Sequence, residues 1–220
     1  TYADWLESQF NAGPSQGGWD WLNQRGYADI SNDTAYYDNS YPADYMIWYQ
    51  LMKSPDGLRK RVALALSEIC VVSLSGVDIT WRCHAMAWYW DQLVNNAFGN
   101  YRDILRATTL NAYMGDYLDM ANSSRTATNE HYARELMELF STGVDKLNPD
   151  GAAITDASGA TTPNYTAADV KDIARALTGW TYTRLNGAPL TDNNQIDYAS
   201  PMIPNAAIYD TGAKTFLGTT

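Results

Sequence analysis

The spacing of apolar residues predicts a chain built mainly of α-helices. Apolar positions recur every three or four residues through most of the first 140 positions, which is the period of a helix with one buried face. Before residue 40 a loop rich in Gly, Asn and aromatic residues interrupts this pattern. The predicted helical segments are ADWLESQF, YPADYMIWYQLMKS, DGLRKRVALALSEICVVS, TWRCHAMAWYWDQLVNNAF, NYRDILRATT, NAYMGDYLDMAN and NEHYARELMELFSTG.

The helical pattern stops near residue 145 and returns once. No helical period is visible in LNPDGAAITDASGATTPNYT, and its NPDG and DASG sequences are typical of turns, so we predict an inserted loop or small hairpin over 145–165. A helix follows in YTAADVKDIARALTGW, where Thr166 begins a capping box and Gly179 is placed to end the helix. From Thr181 onward, Pro, Asn and Gly predict an irregular C-terminal stretch. The fold class is therefore mainly α, with one multi-helix globular domain over residues 1–220.

Composition and charge narrow the classes of function. The 220 residues are 45% hydrophobic and 18% charged, which is the balance of a globular protein. A net charge of −10 argues against a nucleic-acid partner, because phosphate backbones are bound chiefly by Lys and Arg. No apolar run approaches the roughly 20 residues of a membrane-spanning helix. The eight Trp and 16 Tyr either fill a helical core or bind sugars, as in many exported proteins that handle glycans.

The segment NEHYARELMELFSTG carries the densest group of candidate chemical residues. On a helix its apolar residues share one face, and the other face is a polar stripe of Glu130, His131, Arg134, Glu135 and Glu138. The simplest interpretation is a solvated face with a ladder of i, i+4 ion pairs. His131 and Glu135 together are only half of a metal site, and no HExxH motif completes it. Alternatively, Glu135 and Glu138 are a carboxylate pair for acid–base hydrolysis.

A buried charge elsewhere would turn this stripe inward. The helix around RVALALSEI is predicted to be buried by its composition, yet Arg61 and Glu68 lie seven residues apart on one face of it. Charges in a buried helix need partners, because desolvation of an unpaired charge is costly. We therefore predict an interhelical ion cluster, with His131 left nearer to solvent. Its members are Arg61, Glu68, Glu130, Arg134 and Glu135.

The two cysteines leave two alternatives open. Twelve residues separate Cys70 from Cys83, which matches no usual zinc motif. They lie near the end of one predicted helix and the start of the next, where a loop could bring them together in a disulfide. In a reducing compartment they would instead be buried thiols. The neighbouring His84 lies in WRCHAMAWYW, and this aromatic setting predicts a packed side chain rather than a metal ligand.

Five segments carry a family resemblance. They are LRKRVALALSEICVVS, NAFGNYRDILRATTLNAYMGDYLDM, NEHYARELMELFSTGVDKLNPDG, YTAADVKDIARALTGW and YDTGAKTFLG, and together they resemble the bacterial family known as domain of unknown function 1800. The family hallmark is similar to N-E-N-Y-A-R-E-L, and the residues that fit it are Asn129, Glu130, Tyr132, Arg134, Glu135 and Leu136. His131 stands where the family has Asn, and Cys70 replaces what is commonly an aromatic or aliphatic residue.

The resemblance implies an exported, mostly helical bacterial protein of no established activity, located in the periplasm, at the cell surface or outside the cell. It also implies that members continue beyond TFLG, so the chain is expected to be the amino-terminal part of a longer protein. The oxidising compartment favours the disulfide, and we predict that Cys70 and Cys83 form one. No metal is predicted at His131, and no cofactor is predicted.

Two functions of different classes fit these observations. The first is hydrolysis or binding of an extracellular glycan, with Glu135 and Glu138 as the candidate catalytic carboxylates. The alternative is a non-catalytic cell-surface or assembly subunit that acts through contacts with other protein subunits. A pocket walled by Trp and carboxylates would favour the first function, and a large flat apolar patch would favour the second. The sequence leaves open whether the protein is an enzyme.

Overall fold

Nine α-helices, one short 3₁₀ turn and one two-stranded sheet make up the regular structure of the described residues, which confirms the mainly α fold class. The structure is a computed structural model that describes residues 1–27, 39–77, 79–190 and 195–219. Part of the loop predicted before residue 40 lies outside these ranges. The described residues after Thr181 are irregular apart from the 3₁₀ turn and one strand, as predicted.

The chain divides into two compact units. Unit 1 contains Thr1–Tyr117 and Tyr182–Met202, and unit 2 contains Leu118–Thr181 and Ile203–Thr220. A single helical domain over 1–220 stays a prediction.

Unit 1 is organised around one buried helix, Arg82–Asn96, which we call α5. Ten of its fifteen residues are buried, and it packs against five of the other helices, α2, α3, α4, α6 and α7. A helix surrounded in this way needs apolar or hydrogen-bonded side chains on most of its faces. The helices of unit 1 are α1 Tyr2–Asn11, α2 Gly18–Gln24, α3 Tyr41–Lys53, α4 Gly57–Ser67, α5, α6 Tyr101–Leu110 and α7 Ala112–Tyr117, with a 3₁₀ turn at Leu185–Gly187.

Helix α2 lies inside the stretch that the sequence predicts to be a loop. Its sequence begins with glycine, which is a poor helix former. Its first two N–H groups, those of Gly18 and Trp19, donate to the Asp91 carboxylate of α5 at 2.6 and 3.1 Å. Because this helix start is capped by a residue more than 70 positions away, no local pattern could reveal it.

Unit 2 contains two helices and a short antiparallel sheet. Helices α8 (His131–Glu138) and α9 (Ala167–Ala176) pack against each other. The strands β1 (Trp180–Thr181) and β2 (Ile203–Pro204) pair with Trp180 opposite Pro204. The core between the helices consists of Ala133, Met137, Val170, Ile173 and Ala174, with Leu136, Tyr165, Leu177 and Phe216 packed against it.

The segment 145–165 forms three short extended pieces joined by two tight turns. Lys146 N donates to Thr162 O, Ile154 N donates to Lys146 O, and Thr162 N donates to Ile154 O, at 2.8 to 2.9 Å. The turns fall at NPDG and DASG, where Gly151 and Gly159 have φ of +86° and +85°. The turn sequences therefore predicted both chain reversals correctly, because only glycine adopts these angles at little cost.

Candidate functional site

The polar stripe of α8 is divided between an ion pair and a histidine–aspartate contact. Arg134 Nη2 lies 3.2 Å from Glu130 Oε2, and about half of each side chain is exposed. His131 Nδ1 lies 2.8 Å from Asp119 Oδ2, and these two side chains are more exposed than buried. His131 thus lies near solvent, as predicted. The pairs have the geometry of surface interactions, which contribute little to stability.

The predicted catalytic carboxylates, Glu135 and Glu138, lie on α8 near the phenol side chain of Tyr165. Glu138 is exposed and Glu135 is half-buried. Partial burial and the nearby Glu138 carboxylate raise the pKa of Tyr165, which precedes α9. Neither glutamate lines either of two cavities of unit 1 that have volumes of about 350 and 310 Å³. A catalytic role for Glu135 and Glu138 stays a prediction.

The premise of the predicted ion cluster is wrong. Arg61 on α4 and Glu68, which directly follows the end of α4, are both exposed. Arg61 Nη1 donates to the carbonyl of Gly57, one turn back, at 3.3 Å. The prediction treated α4 as buried all round, whereas only Lys60 and Ala63 are buried among its residues. Without buried charges at positions 61 and 68, there is no electrostatic reason for the stripe to turn inward. The cluster members named in the prediction were Arg61, Glu68, Glu130, Arg134 and Glu135.

The buried cation of α4 is instead Lys60, the residue before Arg61. Its side chain is fully buried; Nζ lies 3.8 Å from Asp56 Oδ2 and donates to Gln16 O at 3.3 Å. Burial lowers the pKa of Lys60, and the Asp56 and Asp91 carboxylates oppose that shift. A cation in this position requires its carboxylate neighbours, because an uncompensated buried charge is costly.

The Asp91 carboxylate connects this buried charge to the start of α2. Asp91 is buried, and burial raises its pKa, while the N–H groups of Gly18 and Trp19 lower it. A Cβ on Gly17 would lie 2.8 Å from Asp91 Oδ2, so a side chain at position 17 would displace this carboxylate. The Asp91 carboxylate therefore fixes the backbone position of Trp19.

Trp19 forms one wall of an aromatic cleft of about 310 Å³ in unit 1. Its other aromatic walls are Trp81, at the start of α5, and Tyr198, from the segment that returns to unit 1. All three aromatic side chains are half-buried and so remain accessible. The lining residues are Trp19, Asn23, Trp81, His84, Leu185, Ile196, Asp197 and Tyr198.

Trp81 has an unusual backbone conformation at the edge of this cleft. Its φ of 60° and ψ of 31° lie in the left-handed region, which is uncommon for a bulky residue. Such conformations cost free energy and tend to cluster at ligand-binding sites. Here the conformation comes directly before α5 and accompanies a ring that lines the cleft.

His84 lies between two indole rings at the base of the cleft. Its ring packs edge to face against Trp19 and Trp81, with centroids 5.0 and 5.4 Å apart. Burial lowers the pKa of His84 to about 4, so the imidazole is neutral at pH 7. His84 Nε2 lies 3.0 Å from Asn23 Oδ1, and the nitrogen donates because the amide oxygen can only accept. The Nδ1 atom of the neutral ring is then a hydrogen-bond acceptor.

Asp197 is the one carboxylate among the described residues that line the cleft. It accepts hydrogen bonds from Ala199 N at 2.9 Å and from Ser200 Oγ at 2.6 Å. These local bonds fix its position in the 195–202 segment. The cleft therefore combines aromatic walls with an amide, a neutral imidazole and one carboxylate.

The packing of His84 is predictable from the sequence, but the cleft around it is not. The aromatic sequence WRCHAMAWYW indicated a packed histidine, and His84 is buried. Trp19, Asn23 and Tyr198 were missed because they come from distant parts of the chain. Only the overall abundance of Trp and Tyr pointed to an aromatic site.

The predicted disulfide is wrong, because Cys70 and Cys83 are free, buried thiols. Cys83 Sγ donates to the carbonyl oxygen of Asn39, 2.6 Å away. Burial raises the pKa of both thiols, that of Cys83 to about 11, so both are protonated at neutral pH. The prediction failed because adjacent helix ends do not by themselves give the two Cβ atoms the spacing and direction that a disulfide needs.

The described residues contain neither a group of metal-ligating side chains nor a membrane-spanning helix. In residues 1–27, 39–77, 79–190 and 195–219, no three His, Cys, Asp or Glu side chains group as metal ligands would. The expectation of no metal at His131 stays a prediction. In the same ranges no helix has the length and apolar character needed to cross a membrane.

Comparison with known proteins gives a family but no activity. A family model described as "Protein of unknown function (DUF1800)" matches residues 1–220. No curated protein and no solved structure matches the chain significantly. The family match agrees with the resemblance found in the sequence.

Proposed function

We propose that this chain, which belongs to the DUF1800 family, binds a saccharide of an extracellular glycan in its aromatic cleft, as an exported bacterial protein. The observation that carries the proposal is the set of accessible rings of Trp19, Trp81 and Tyr198 around a neutral, hydrogen-bonded His84. Export rests on the family resemblance.

The chemistry of the cleft suits an uncharged sugar. A sugar ring has apolar C–H faces and hydroxyl edges; aromatic rings cover the faces, and precisely oriented polar groups bond the edges. Asn23, His84 and Asp197 line the cleft beside the aromatic walls and carry hydrogen-bond donors and acceptors. The histidine carries no charge at neutral pH, so it offers hydrogen bonding without attracting anions.

Binding is favoured over hydrolysis by the number of carboxylates. Most glycosidases place two carboxyl groups on either side of the bond that is cleaved. Among the described residues, the lining of this cleft contains one carboxylate, Asp197, whose oxygens already accept two local hydrogen bonds. Glu135 and Glu138 do not line it.

The test compares two tryptophan substitutions. Binding of neutral tetrasaccharides (cello-, xylo- and chito-oligosaccharides) is measured by isothermal titration calorimetry for the full chain, Trp81→Ala and Trp48→Ala. Trp48 is an exposed tryptophan of α3 outside the cleft, which makes it a matched control. We expect Trp81→Ala to weaken binding at least tenfold, or about 1.4 kcal/mol, and Trp48→Ala to leave it unchanged. Equal affinities for the two variants would refute the proposal.

A parallel assay tests the catalytic alternative. Release of reducing sugar from the same oligosaccharides is measured for the unchanged chain and for Glu135→Gln. A binding protein should release none. Release that is lost in Glu135→Gln would instead assign hydrolysis to the α8 carboxylates.

One observation favours the second candidate function, a subunit that acts through protein contacts. Helix α3 exposes Tyr45, Trp48 and Met52 on one face, with 58%, 62% and 69% of each residue accessible. Exposed apolar groups of this kind are typical of protein interfaces. Self-assembly through this face would appear in sedimentation velocity as a species larger than the monomer. Trp48→Ala should remove that species, whereas Trp81→Ala should not.

A further inference from the structure

We propose that a second cavity of unit 1 binds a sugar that bears a carboxylate, such as a uronic acid. The cavity has a volume of about 350 Å³ and is lined by residues of α5 and α6 and by Asn111 and Pro201. It shares no lining residue with the aromatic cleft, so the inference does not rest on the proposed function. Three features of the lining identify the ligand class.

The first feature is a guanidinium group that no other described residue engages. Arg106 of α6 lines the cavity and is exposed. It has no ion pair or hydrogen bond with the described part of the chain, although Asp103 lies one turn earlier on the same helix. The planar fork of N–H groups on arginine matches the two oxygens of a carboxylate.

The second feature is a buried amide donor without a partner. Only 3% of Asn111 is exposed, and its Oδ1 accepts from Tyr113 N at 2.9 Å and from Met114 N at 3.4 Å. These bonds fix the orientation of the amide, because only the oxygen can accept. The Nδ2 atom is then a buried donor with no acceptor in the described residues. Asn111 lines the cavity, and a ligand oxygen would satisfy Nδ2 once a small shift of the side chain opens this donor to the cavity.

The third feature is an apolar wall beside further amides. Trp88 and Leu110 offer apolar surface for the face of a sugar ring, and Gln92 and Asn96 offer amide groups for hydroxyls. Asp103 also lines the cavity, and its negative charge disfavours a doubly charged group such as phosphate. A singly charged carboxylate on a sugar ring fits this combination of one cation, one anion, amides and an aromatic wall.

The experiment titrates the full chain with D-glucuronate, D-glucose and acetate, observed by calorimetry and by NMR. We expect glucuronate to bind at least about tenfold more tightly than glucose or acetate, since both the carboxylate and the ring make contacts. Arg106→Gln should weaken glucuronate binding at least about tenfold. The matched control is Arg102→Gln, an exposed arginine of the same helix outside the cavity, which should not change binding.

Several outcomes would overturn the inference. One is equal glucuronate affinity for Arg106→Gln and the unchanged chain. Another is that glucose or acetate binds as tightly as glucuronate, and a third is no glucuronate binding at all. Trp81→Ala separates this site from the aromatic cleft, because it should leave glucuronate binding intact even if neutral oligosaccharides fail to bind.

Discussion

Acidification from pH 7 to pH 5 should destabilise this protein more when His84 is present than when it is replaced. The buried imidazole has a pKa of about 4 in the folded state, against an ordinary value of 6.5. The unfolded chain therefore takes up a proton as the pH falls through 6.5, whereas the folded chain does so only near pH 4. The stability associated with the neutral ring is complete above pH 6.5 and is lost as the pH falls toward 4.

The magnitude follows from this difference in pKa. Each pKa unit corresponds to about 1.4 kcal/mol, so the limiting loss well below pH 4 is roughly 3 kcal/mol. At pH 5 the unfolded histidine is almost fully protonated while the folded one is mostly neutral. The free energy of unfolding should therefore fall by about 2 kcal/mol between pH 7 and pH 5 through His84 alone.

Urea unfolding at pH 7, 6 and 5 measures this loss. The comparison uses the unchanged chain, His84→Gln and His131→Asn, the last being an exposed histidine as a matched control. The unchanged chain and His131→Asn should both lose about 2 kcal/mol more than His84→Gln across this range. If His84→Gln loses as much stability as the unchanged chain, His84 does not remain neutral in the fold, and the reasoning is refuted.

Three further predictions concern buried and exposed groups. Lys60→Ala should lower the free energy of unfolding in urea titrations by about 3 kcal/mol or more, because it leaves buried carboxylates without their cation. Arg61→Ala, at the adjacent exposed position, should lower it by under about 0.5 kcal/mol. Equal losses for the two variants would contradict the placement of these two charges. Mass spectrometry of unreduced protein should find Cys70 and Cys83 alkylated by iodoacetamide only after denaturation, and a mass two units lower without labelling would reveal a disulfide. Arg134→Ala should cost only about 0.2–0.5 kcal/mol in thermal melts, as expected for an exposed i, i+4 pair, and a larger loss would indicate a buried partner.

Local patterns predicted the features that depend on local interactions. The helices with a clear apolar period were predicted, as were the turns at Gly151 and Gly159, because backbone angles and capping act between near neighbours. The start of α2 was missed because its N–H groups are bound by Asp91 of another helix.

The orientation of α4 could not be predicted from local sequence patterns. Lys60 and Arg61 are adjacent in sequence, and a rotation of about 100° about the helix axis separates a buried cation from an exposed one. Composition indicated a buried helix but not which side meets the core. The aromatic cleft posed the same difficulty, since Trp19, Trp81 and Tyr198 are brought together only by tertiary packing.

Unit 1 is built from two separate stretches of the chain, and this determines when its aromatic cleft can form during synthesis. The aromatic cleft requires Tyr198, but His84 leaves the ribosome about 110 residues earlier, which is roughly 5–25 s at ordinary rates of translation. During that interval Trp19 and Trp81 lack their third aromatic wall, while residues 118–181 of unit 2 emerge. Nascent chains stalled at residue 181 should therefore show greater acrylamide quenching of indole fluorescence than chains extended until residue 202 has left the ribosome. The aromatic cleft is completed only after most of the other unit has been made.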